Sequence, residues 1–102
     1  MNKIISYLGF AQKSNNCLLG QMALKKTTRQ LYLIIVCNTA SDNLKDLAAN
    51  IAQKHKCELI ISDVELKNLI KFNDVKILGL TDENLGKAII DNKEKINFGK
   101  RN

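Results

Sequence analysis

One stretch constrains this chain more than any other. From Leu31 to Cys37, L-Y-L-I-I-V-C, every residue is apolar or aromatic. A strand with one face in water alternates apolar and polar side chains; a strand covered on both faces does not. The run therefore predicts a central strand with helices packed above and below it. It is the longest apolar run in the chain and falls far short of the ~20 residues a membrane-spanning helix needs.

Around that strand, two periods alternate. Ile4, Ile5, Leu8 and Ala11 fall at helical spacing within 2–12, and Ser14, Asn15 and Asn16 break the pattern. Cys17 to Leu19 reads as a brief strand. Residues 20–28 read as a second helix, with Ala23 and Leu24 inward and Lys25, Lys26 and Arg29 outward. Ser41 is a good N-cap for a third helix, and Asp42 suits its first turn. In that helix Leu44, Leu47, Ala48, Ile51, Ala52 and His55 share one face. Leu59 to Ile61 is a short strand. Ser62 to Glu65, S-x-x-E, has the form of a capping box opening a fourth helix toward Ile70. Val75 to Leu80 is the last strand. Thr81 or Asp82 caps a final helix carrying Leu85, Ala88 and Ile89.

With 102 residues and 45% apolar composition, one domain over residues 1–92 is expected. Residues 93–102 form a polar, basic tail expected to fray. Strands separated by helices predict parallel pairing. Strands apolar on both sides predict an α/β fold, a three-layer α/β/α sandwich around a small four-stranded sheet.

The net charge is +6, with sixteen Lys and Arg against ten Asp and Glu. Residues 1–30 hold Lys3, Lys13, Lys25, Lys26 and Arg29 and no acid. A polyanion would profit from that asymmetry through phosphate neutralisation and counterion release. A solvated cationic surface is the simpler alternative.

Motifs for catalysis are missing. The five glycines are scattered, so neither a dinucleotide-binding nor a Walker loop is present, and no G-x-S-x-G elbow occurs. His55, the single imidazole, ends the third helix, where it is expected to meet the helix dipole or solvent. Cys17, Cys37 and Cys57 lack any compact metal-ligand spacing and read as small buried hydrophobes. No catalytic residue, metal or cofactor is therefore expected. The start of the chain has no signal-peptide pattern, so a soluble, cytoplasmic protein is expected.

Three segments carry a resemblance. Leu8 to Gly20, L-G-F-A-Q-K-S-N-N-C-L-L-G, resembles the opening of the kink-turn-binding ribosomal-protein family, nearest to its bacterial YlxQ-like branch. Leu31 to Ser41, L-Y-L-I-I-V-C-N-T-A-S, looks like that family's buried strand and following loop. Leu78 to Ile90, L-G-L-T-D-E-N-L-G-K-A-I-I, resembles its last strand, turn and final helix. The likeness covers about nine tenths of the chain by eye.

The resemblance implies an α/β/α sandwich around a mixed sheet. It implies non-catalytic binding of structured RNA, a kink-turn or internal loop associated with ribosomal RNA. Apart from the resemblance, no membrane or metal partner is expected, and a monomer is expected although the sequence does not fix the oligomeric state. Carried over by position, Gly20 matches the glycine of the turn that opens the second helix, where backbone N–H groups approach the RNA; a simple need for the turn is the alternative. Gln21 and Met22 follow it. Lys26 matches the phosphate-contacting lysine, and Lys25 and Arg29 add to the same cationic surface. Lys71, Phe72 and Asn73 match the second contact region before the last strand, with Phe72 stacking on an unpaired base or, alternatively, plugging the core.

Strong kink-turn binders place an Asn-Glu pair just after the turn. This chain has Met22 and Ala23 there, and neither side chain can exchange hydrogen bonds with base edges. The resemblance then implies a mode that reads shape and phosphate. The competing reading is a protein-interaction module on the same fold, with a decayed RNA site and an apolar patch of Leu18, Leu19 and Met22.

Overall fold

The computed structural model of the chain describes residues 3–63, 65, 66, 70 and 75–92. The elements follow in the order α1 (Lys3–Lys13), β1 (Cys17–Leu19), α2 (Gln21–Lys26), β2 (Leu33–Cys37), α3 (Asp42–His55), β3 (Glu58–Ser62), β4 (Ile77–Leu80) and α4 (Glu83–Asn92). The strands form one sheet in the order β1-β4-β2-β3. The helix expected over 62–70 falls largely outside the described residues, and so does the tail 93–102.

All five residues of β2 are buried, as its unbroken apolar run requires. Their side chains alternate between two cores. Leu33, Ile35 and Cys37 join Ile4, Leu8 and Ala11 of α1 and Ile89 of α4 on one face. Ile34 and Val36 join Leu24 of α2 and Ala48, Ile51 and Ala52 of α3 on the other. The fold is thus an α/β fold of three layers, with, among the described residues, four α-helices around a four-stranded mixed sheet. Each fully buried Leu or Ile contributes about 1.5–3 kcal/mol, so the two faces of β2 anchor both helical layers.

Local signals set the helix starts. Ser41 Oγ accepts from Leu44 N at 3.1 Å, and Asp42 lies in the positive first turn. Asp82 Oδ1 accepts from Asn84 N at 2.8 Å and from Leu85 N at 3.1 Å, so Asp82 caps α4. At the far end of α3, Lys56 adopts a left-handed conformation, φ 57°, that ends the helix.

Strand direction departs from the parallel reading at one place. β2 and β3, joined by α3, pair in parallel. β4 runs antiparallel to both β1 and β2, so the other three strands point one way. The cause is where the link between β3 and β4 begins and ends. Asn38 N donates to Ser62 O at 2.9 Å as β3 finishes, and Cys37 N donates to Lys76 O at 2.8 Å as β4 approaches. The chain leaves β3 and enters β4 at the same end of the sheet, which makes β4 antiparallel to its neighbour.

Two more of the residues singled out in the sequence, Glu65 and His55, have long-range partners. Ser62 is a buried residue of β3, and the Glu65 carboxylate accepts from Lys76 Nζ and Thr39 Oγ1. The expected capping box spans residue 64, which lies outside the described residues. His55 Nδ1 accepts from Leu31 N at 3.1 Å, while Gln30 Nε2 donates to His55 O at 2.6 Å. The imidazole therefore docks the end of α3 onto the entry to β2.

Candidate nucleic-acid interface

Gly20 closes β1 and opens α2 with φ 88° and ψ 157°. That backbone conformation is essentially restricted to glycine. A Cβ added there would meet nothing within 4 Å, so the torsion, and not crowding inside the chain, demands glycine. Gly20 itself is half-buried. Gly20 N donates to Ile77 O at 3.0 Å, which ties the turn to the first residue of β4.

α2 then runs back along one sheet face. Leu24, 2% exposed, holds it down. A Cβ at Gly79 would lie 2.5 Å from Leu24 Cδ2 and 3.1 Å from Leu31 Cδ2, so the bare backbone of β4 makes the seat for that leucine. With Leu24 inward, Gln21, Met22, Lys25 and Lys26 all face solvent. The two ion pairs found among the described residues, Lys76–Glu65 and Lys87–Glu83, involve neither Lys25 nor Lys26.

Arg29 does not join that surface as expected. It is exposed, yet its guanidinium donates to Asn15 O at 2.8 Å and Asn16 Oδ1 at 2.6 Å. Asn16 is in turn bonded to Thr81 through backbone and side chain, at 2.9 and 3.1 Å. Asn15 takes a left-handed conformation, φ 62°, that presents its carbonyl. Because Cys17 pairs with Leu80 and Leu19 with Leu78, this staple sits at the opposite end of β1 from Gly20. A planar fork of N–H donors suits two oxygens from adjacent residues.

Lys71, Phe72 and Asn73 lie outside the described residues. Their flanks are described. Glu65 and Lys76 form an ion pair at 3.0 Å, and Thr39 Oγ1 donates to Glu65 Oε2 at 2.9 Å and accepts from Lys76 Nζ at 2.9 Å. The Lys76 ammonium, and after it the Thr39 hydroxyl, hold the Glu65 carboxyl below its usual range. This cluster shares the sheet end of Gly20. Thr39, Glu65 and Lys76 were not predicted as functional residues. Only the opposite charges of Glu65 and Lys76 hinted at a pair, and nothing in the pattern pointed to Thr39.

Leu18 and Leu19 of the competing reading, both half-buried, do not share one face. Leu18 packs into the α2/α3 core and Leu19 into the α1/α4 core, as adjacent strand residues must. Met22 is 57% exposed. Elsewhere, a concavity of about 270 Å³ is lined by Gln30, Leu31, Tyr32, Cys57 and Ile90 among others, and by none of the expected contact residues. Burial pushes the Cys17 thiol up to about 12 and the Cys57 thiol up to about 11, which suppresses the reactive thiolate. Among the described residues, no three His, Cys, Asp or Glu side chains gather as a metal site, and no helix is long and apolar enough to cross a membrane.

No family model matches the chain, and no curated protein matches it. A solved structure of a protein with unknown function from Bacillus halodurans is similar, with a TM-score of 0.74 at 18% identity. The match covers 89% of this chain and 96% of that one, so the likeness extends over the whole sandwich and concerns the fold alone.

Proposed function

We propose that this chain binds structured RNA without catalysing a reaction on it, through the turn at Gly20, the outer side of α2 and the segment before β4. The RNA is a kink-turn or a similar internal loop associated with ribosomal RNA. The observation that carries the reading is the pair Lys25 and Lys26, both exposed, outside every ion pair found among the described residues, and on the helix that the Gly20 turn opens. Ammonium groups so placed neutralise phosphates, while the turn brings backbone close to the nucleic acid. Met22 and Ala23 bring no polar groups to base edges, so affinity comes from shape and phosphate more than from base readout.

The test is a salt titration of binding to an RNA duplex carrying a kink-turn internal loop, with a continuous duplex as control. For ~3–4 phosphate contacts, log K against log[salt] should slope at about −3, and the kinked RNA should bind more tightly. A flat salt response, or equal affinity for the two RNAs, would refute the reading. The competing protein-interaction module retains the exposed Met22. It predicts one stoichiometric protein partner, recovered equally before and after nuclease treatment.

A further inference from the structure

We infer that His55 is a proton-operated latch: its neutral imidazole fastens the end of α3 to the entry of β2, and protonation releases the two. The inference is independent of the RNA-binding reading, because this junction lies at the end of the sheet away from Gly20.

The state of the ring follows from its partner. Leu31 is fully buried, and its N–H donates to His55 Nδ1 at 3.1 Å, the one partner found for it among the described residues. A backbone N–H can only donate, so Nδ1 is the acceptor and the proton of the neutral ring sits on Nε2. A flipped ring would set a C–H against the Leu31 N–H and strand that buried donor. Gln30 makes the second fastening: its Nε2 donates to His55 O at 2.6 Å and to Leu31 O at 2.8 Å. Lys56, left-handed at φ 57°, ends α3 directly after the histidine.

A second proton turns Nδ1 from an acceptor into a donor. Two N–H groups then face each other, and the buried Leu31 N–H loses its acceptor. The charged and titratable groups around the ring come from four directions. Its own segment brings Lys54 and Lys56; the chain from α2 into β2 brings Lys25, Lys26, Arg29 and Tyr32. The start of β3 brings Cys57 and Glu58, and α4 brings Glu83 and Lys87 from across the adjoining concavity. The two ion pairs found among the described residues leave the imidazole out, so neither holds a charged ring in the docked position. Histidine side chains change charge between about pH 5 and 8. The fastening is therefore present on the alkaline side of that range and lost as the pH falls through it.

The junction forms one wall of the concavity of about 270 Å³, through Gln30, Leu31, Lys56 and Cys57. The other wall is α4, which sits directly on the entry to β2: a Cβ at Gly86 would lie 3.4 Å from both Tyr32 Cβ and Tyr32 O. That wall is held by close packing. The wall at His55 hangs on hydrogen bonds, one of which a proton abolishes. Acid therefore loosens the junction and widens the concavity from one side, while the interior of β2 stays in its ladder between β3 and β4.

The experiment is a pH titration of the isotope-labelled chain, read by imidazole nitrogen shifts and by amide exchange. His55 is the chain's single histidine, so its signals need no deconvolution. At pH 7.5 the ring should carry its proton on Nε2. Between pH 7.5 and pH 5, as the ring takes up its second proton, the protection factor of the Leu31 amide should fall about tenfold, the scale for leaving a buried donor unpaired. Those of Ile34 and Val36 should hold. His55→Asn offers a side-chain carbonyl in place of Nδ1, an acceptor that does not titrate, and should remove the pH response at Leu31. The wild-type titration carries the test should that variant fail to fold. An Nδ1–H tautomer at pH 7.5, a ring still neutral at pH 5, or Leu31 protection unchanged after the ring is protonated overturns the inference. So does an equal loss at Ile34 and Val36, or the same acid loss at Leu31 in folded His55→Asn.

Discussion

Lys26 and Arg29 are three residues apart in the same acid-free third of the chain, and both are exposed. Their surroundings separate them. Lys26 ends α2 with no carboxylate paired to it among the described ion pairs. Arg29 sends two of its donors into the α1–β1 turn, where Asn16 passes the connection on to Thr81. Exposure and positive charge therefore do not show that a side chain's donors are free. What matters is whether the donors are already spoken for.

Substitutions at these two positions should give opposite profiles. Lys26→Glu reverses a charge at a proposed phosphate contact. Since each contact is worth about eightfold at 0.1 M salt, affinity for the kinked RNA should fall roughly 60-fold, with thermal stability unchanged. Unaltered binding would move the interface away from α2. Arg29→Ala should show the converse, a loss of about 1 kcal/mol in urea denaturation and a smaller loss of affinity. Equal effects of both variants on binding would erase the distinction.

Between these in size lies Gly20. Gly20→Ala forces a Cβ into a backbone region that glycine alone tolerates, so unfolding measurements should show a loss of about 2 kcal/mol. Nothing lies within 4 Å of the new Cβ, so a near-neutral result would mean that the turn relaxes and that its torsion is not required.

The smallest effect concerns the opposite charges at the Gly20 end. The folded Glu65 carboxyl titrates below its ordinary value of 4.5 because Lys76 and then Thr39 hydrogen-bond its ionised form. A depressed folded value means that the carboxylate's stabilisation is complete above the unfolded value. It disappears as pH falls through the folded one. Urea midpoints at pH 7 and pH 3 should therefore differ slightly less in Glu65→Gln than in wild type. An identical acid loss in both would remove Glu65 from the pH response.

Much of the fold was legible because it rests on local signals. The unbroken apolar run of β2 announced two helical layers, and the spacing of Leu44, Ala48 and Ile51 announced α3. Ser41 and Asp82 announced their caps. The direction of β4 was not legible from strand pattern, because alternation encodes which face is buried and not which way a strand runs. It depended on a link that stays at one end of the sheet. The Gly20 turn and the outward lysines of α2 could be read from residue type and helical spacing. The commitments of Arg29 and Glu65 could not, since their partners lie 13, 14, 11 and 26 residues away. Leu18 and Leu19 of the supposed patch part on a simple point, that neighbours in a strand face opposite cores.

The most direct test is an amide chemical-shift titration of the isotope-labelled protein with kink-turn RNA. The largest perturbations should cluster at Gly20 to Lys26 and at Val75 to Ile77, with Asn15, Asn16 and Thr81 at the far end little changed. Perturbations centred on that far end or on the outer face of α3, or none at stoichiometric RNA, would contradict an interface built on the Gly20 turn and α2.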